Sequence, residues 1–144
     1  MNVQELADKL AIHEVLYRYA RAVDTQDWGL MPTVFVADAV LDYTDMGGPA
    51  DVPRDEVVAW LAESLRPVPM TQHSITNIEG DLQGDAAEVV ALFHNPMQLP
   101  GVDGVTVCGG RYHHQMVRTA DGWRSRHLRE ENLWFSNPPM GYGA

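Results

Sequence analysis

Val105–Thr119 (VTVCGGRYHHQMVRT), the dipeptide Asp121-Gly122 and Trp123–Trp134 (WRSRHLREENLW) together decide the fold. Asp-Gly between two long β-prone runs is the strongest short-range signal for a hairpin. Strands this long bend where they carry bulges or glycines, and Gly109-Gly110 lies inside the first of them. Working toward the N-terminus, Ala86–Leu99 reads as the preceding strand, reached through a turn at Gln83-Gly84-Asp85, and Gln72–Glu79 as the one before it. The second half of the chain is therefore an antiparallel meander that curves.

The first half reads differently. Leu6, Leu10, Ile12, Leu16, Tyr19, Ala20 and Val23 recur at helical spacing, predicting a helix over Val3–Val23. A short second helix is expected over Trp28–Phe35, and a third over Arg54–Leu65, entered through Pro53. Between them, Ala39–Thr44 reads as a strand and Gly47-Gly48-Pro49 as a loop. Helices first and strands afterwards favour α+β over alternating βαβ units. A bent sheet with helices on its concave side encloses a pocket. The tail from Ser136-Asn137-Pro138-Pro139 onward reads as irregular.

Bulk properties narrow the function. The 144 residues fit one domain, expected over 1–144, and 45% hydrophobic with 21% charged residues is an ordinary globular mix. A net charge of -10 argues against nucleic acid and against anionic membrane surfaces. With Cys108 the single cysteine, no intrachain disulfide can form, and a cytoplasmic setting is expected. The N-terminal residues lack the pattern of a signal peptide, and no apolar run approaches membrane-spanning length.

Four segments, in order, resemble the SnoaL-like and scytalone dehydratase-like proteins: Tyr19–Trp28 continuing into Phe35–Val40; Gln72–Asn77; Gly109–Tyr112; and Asp121–Arg124. The resemblance implies a cone-shaped α+β barrel, a curved mixed or antiparallel sheet packed on about three N-terminal helices around an internal pocket. The fold hosts dehydratases, isomerases, cyclases, epoxide hydrolases and non-catalytic subunits, so it does not by itself give a function.

The same resemblance implies a site. Its Asp at the end of the first helix falls on Asp24 and its His after the third helix on His73. There the His removes a proton next to a carbonyl while the Asp fixes its tautomer and stabilises the imidazolium. Asp24 also reads as a helix cap, but a carboxylate at a helix C-terminus meets the negative end of the dipole and needs compensation. Tyr19 and Tyr43 fall where related enzymes place phenols that polarise an oxygen, and each also reads as a core tyrosine. His94, Arg111 and His113 fall at substrate-binding positions. Arg111 and His113 share one face of their strand by period two. Arg111 could bind an oxyanion or pair with an acid such as Asp42, and His113 could be an acid/base group or a half-exposed strand residue. The histidines lack a recognised zinc spacing and the glycines match no nucleotide fingerprint, so neither metal nor cofactor is expected.

The leading expectation is a cofactor-independent lyase (dehydratase) or isomerase acting on a small cyclic carbonyl compound, such as a polyketide, an aromatic or a steroid-like molecule. Two alternatives stand beside it: a non-catalytic binding or subunit protein, like the small subunits of ring-hydroxylating dioxygenases, and a limonene-type epoxide hydrolase, for which Arg111 with Asp42 is a partial match. A ketosteroid isomerase typically uses an Asp base, whereas His73 occupies that position here. A homodimer is the family default.

Overall fold

A computed structural model describes residues 1–141. Helix α1 spans Val3–Thr25. It opens with a capping box: the Glu5 amide donates to the Asn2 side chain at 2.8 Å and the Asn2 amide donates to Glu5 at 3.0 Å. It closes at Gln26 in the left-handed conformation, φ 53°. The stripe it buries is Ile12, Val15, Leu16, Tyr19, Ala22 and Val23. Leu6 and Leu10, expected on that stripe, are more than half exposed. In the first turns Asp8 faces the sheet instead, holding Arg118 at 2.7 and 2.8 Å and the Trp123 indole at 3.2 Å.

Trp28–Thr33 forms a 3-10 turn containing Pro32 rather than a helix reaching Phe35. Strand β1 then begins at Phe35 and runs to Asp42, four residues earlier than the alternation suggested. Its register against the last strand slips between Phe35 and Val40, and this irregularity interrupts the period-two pattern. A short strand β2 (Val52–Pro53) leads into α2 (Arg54–Leu65). The first strand of the meander is split into β3 (Met70–Thr71) and β4 (Ser74–Gln83), both pairing antiparallel with β5 (Ala86–Gln98). Strands β6 (Thr106–Thr119) and β7 (Gly122–Ser136) complete the hairpin read from Asp121-Gly122.

The sheet order is β2-β1-β7-β6-β5-β3, with β4 also on β5. Only the β1–β7 pair is parallel among the described residues. Three further irregularities curl the sheet: at Asn77 (φ 51°) on β4, opposite Gly109-Gly110 on β7, and opposite Gln115-Met116 on β7. The second explains the glycine pair. A Cβ on Gly110 would lie 1.9 Å from the Glu131 carbonyl oxygen, so no larger residue fits that approach. Helices α1 and α2 cover the concave face, giving the expected cone. The last three residues of the tail, read as irregular, lie outside the described residues.

Candidate active site

Asp24 sits in the last turn of α1, and His73 in the two-residue break between β3 and β4. That break exists because Gln72 turns its amide to the Pro96 carbonyl at 3.1 Å and the Asn95 side chain at 3.2 Å. The chain then turns toward α1. Asp24 accepts three hydrogen bonds: from the His73 amide at 2.8 Å, from His73 Nδ1 at 2.6 Å and from Thr71 Oγ1 at 2.9 Å. These donors supply the compensation a carboxylate needs at a helix C-terminus. A carboxylate only accepts, so Nδ1 carries the hydrogen and the lone pair lies on Nε2.

His73 lines a cavity of about 350 Å³ between the helices and the concave face. Tyr19, Tyr43, Phe93, Tyr112 and Trp60 form much of its wall. The Tyr19 and Tyr43 hydroxyls hydrogen-bond to each other. Tyr112 stands edge-on to Tyr19 at 5.4 Å and stacks on Phe93 at 4.5 Å, so the phenols are held in a fixed cluster. Burial raises the Tyr19 phenol above its ordinary value, so it acts as a donor and not as a phenolate.

His94, Arg111 and His113 are not in this cavity; the structure turns all three to the opposite face of the sheet. On β5 the buried residues are Ala87, Val89, Ala91, Phe93, Asn95 and Met97, which leaves His94 outside, 5.9 Å from the Trp134 ring. On β6 Cys108, Tyr112, His114 and Met116 are buried. Arg111 and His113 point away and share Glu131, at 3.4 and 3.0 Å. Asp42, the acid suggested for Arg111, is occupied by Thr44 at 3.0 and 2.7 Å. The Asp–Arg arrangement of an epoxide hydrolase is therefore not assembled in the cavity.

In their place the inward phase of the strands delivers Asn95, Cys108, Tyr112 and Glu130. Burial pushes the Cys108 thiol up to about 12, which keeps it protonated. Glu130 is 6% exposed, and its Oε1 has no hydrogen-bond partner. Sequence reading passed over it because Arg129-Glu130-Glu131 looks like a solvated charge run; its burial beside Tyr112 follows from the β7 bulges. No cluster of three or more potential metal ligands occurs among the described residues. No helix among them is long and apolar enough to cross a membrane.

Comparison with known proteins agrees with this fold. An uncharacterized protein of Mycobacterium tuberculosis is 34% identical over 125 residues, covering 86% of this chain and 84% of its own. A crystal structure of a candidate scytalone dehydratase from Novosphingobium aromaticivorans superposes with a TM-score of 0.85 over 100% of both chains, at 17% identity. The hexachlorocyclohexane dehydrochlorinase LinA from Novosphingobium barchaimii superposes with a TM-score of 0.81, also at 17% identity, over 98% of this chain and 96% of that one. At such identities these structures speak for the shared fold. The SnoaL-like domain model matches residues 4–129, and the chain belongs to that family.

Proposed function

We propose that the protein is a cofactor-independent lyase that eliminates water from a small cyclic carbonyl compound, with His73 as general base. The observation that carries this reading is the 2.6 Å contact between Asp24 and His73 Nδ1 on the wall of an apolar cavity. An imidazole held this way presents Nε2 as a base, and the carboxylate stabilises the imidazolium it becomes. The cavity volume is at the small end of the ~300–1,000 Å³ range of ligand sites and suits a one- or two-ring molecule.

The chemistry runs as follows. Nε2 takes the proton from the carbon next to the carbonyl, and the C–H electrons move onto the carbonyl oxygen. That oxygen is stabilised by hydrogen bonds from the phenol cluster. Collapse of the enolate expels the hydroxyl on the next carbon, which leaves as water with the proton carried by His73. The product is the α,β-unsaturated carbonyl. A substrate without a leaving group would instead be reprotonated at another carbon, which is isomerisation by the same groups. The dehydratase and dehydrochlorinase descriptions of the two fold neighbours are eliminations, in keeping with this class.

The test is hydrogen–deuterium exchange and elimination on a panel of hydroxylated cyclic ketones. Wild type should show turnover, and His73→Ala should lose at least about 10²-fold. Turnover undiminished in His73→Ala would remove the proposed base.

A further inference from the structure

We infer that Glu130 is the acid of this cavity: in its neutral form it donates a hydrogen bond to the carbonyl oxygen of the substrate, and its presence restricts the site to uncharged ligands. The inference rests on the elimination reading for the reaction but not for the binding role.

Three features of the fold carry it. Glu130 lies opposite Tyr112 in the β6–β7 register, so its side chain enters the cavity among the phenols. Its Oε1 is sealed from solvent with no partner. A buried polar atom left unpaired is costly in any protein and calls for an explanation, which a ligand oxygen in the cavity would supply. Finally, no Lys or Arg lines the cavity among the described residues, so no permanent cation there neutralises an ionised carboxylate.

The surrounding charges agree. From β1 and the turn after it, Asp42 and Asp45 add negative potential; α1 contributes Tyr19 and, farther off, Asp24; β6 contributes Tyr112 and Cys108; the β3–β4 break contributes His73. On β7 itself Arg129 and Glu131 alternate to the other face. Burial first, then Asp45 and Asp42, push the Glu130 carboxyl up to about 8, so the neutral acid prevails at neutral pH.

In the reaction, the Glu130 proton is shared with the carbonyl oxygen as His73 removes the carbon-bound proton, and passes to it in the enol. It returns to Glu130 when the enol collapses and the hydroxyl leaves with the proton from His73. No net proton is gained or lost at Glu130. A carboxylate ligand would meet this acid and three phenols with no Lys or Arg to pair with, whereas a ketone meets donors.

The experiment has two readouts on the full-length protein. Infrared difference spectroscopy across a pH titration should show the carbonyl stretch of a neutral carboxylic acid that disappears with a midpoint near 8 and is missing in Glu130→Gln. Absence of that band in wild type at neutral pH would overturn the inference. In parallel, binding of 1-tetralone, read by tryptophan fluorescence, should weaken at least about tenfold in wild type above the midpoint. It should become independent of pH in Glu130→Gln, whose amide still donates, and fall at least about tenfold in Glu130→Ala. 1-Naphthoate, similar in size but anionic, should not bind wild type below the midpoint. Tetralone binding that is undetectable in wild type, or unchanged in Glu130→Ala, overturns the inference. Neither readout needs turnover, so failure of turnover with both readouts intact would sink the elimination reading and leave this one standing.

Discussion

Asp24→Asn isolates what the carboxylate does for His73. The amide has the same shape, and the structure fixes how it must sit. The His73 backbone N–H, 2.8 Å from Oδ2, can only donate, so the Asn carbonyl oxygen has to take that place. The NH₂ then occupies the Oδ1 position, facing Thr71 Oγ1 and His73 Nδ1. Thr71 can accept in place of donating. His73 Nδ1 can accept only by moving its hydrogen to Nε2, and Nε2–H is not a base. All three contacts survive, but each changes from charge-assisted to neutral. At about 1 kcal/mol per bond, the stability cost is about 1–3 kcal/mol. Activity should fall much further, about 10³- to 10⁴-fold, as expected when a general base is held in the wrong tautomer. The assay pairs exchange of the carbon-bound hydrogens of a cyclic ketone with ¹⁵N NMR of the histidine rings, which reports the tautomer whether or not turnover is found. A His73 that keeps its hydrogen on Nδ1 in Asp24→Asn, or exchange within threefold of wild type, would refute the reasoning. Asp24→Ala serves as contrast: it strands two donors of His73 and should cost more stability than the amide does.

Other consequences follow from the same coordinates. Gly110→Ala places a Cβ 1.9 Å from the Glu131 carbonyl oxygen and 2.8 Å from the Phe93 ring, so urea denaturation should register a loss of about 3 kcal/mol or more. Arg118 and the Trp123 indole hold the Asp8 carboxyl well below its ordinary value of 3.8; its stabilisation is complete above that value and is lost as pH falls toward the depressed one. The melting temperature of Asp8→Asn should thus start lower than that of wild type and fall less on acidification. Glu130 has the opposite sign: between 4.5 and about 8 the unfolded chain has released a proton that the folded chain keeps, so this group makes stability decline as pH rises through that window. The melting temperature of Glu130→Gln, relative to wild type, should accordingly climb from about pH 6 to about pH 9.

The sequence by itself determined the order and type of the longer elements. Asp121-Gly122 set the hairpin, helical spacing set α1, Pro53 marked the entry to α2, and Gly109-Gly110 marked the place where the sheet bends. It also pointed to Asp24 and His73, because a carboxylate at a helix C-terminus calls for a donor and the resemblance supplied one. What it could not settle was which face of each strand looks inward. Period two fixes which residues share a face, but the choice between the two faces depends on where α1 and α2 pack. On β6 both phases carry polar and apolar residues, Arg111 and His113 against Tyr112 and His114, so composition did not break the tie. The bulges on β7 then shift the phase again, turning Glu130 in and Glu131 out. The pairing of His94 with Asn95 and of Arg111 with Tyr112, one residue apart and on opposite sides, is the physical reason that the far wall of the cavity became visible only once the chain was folded.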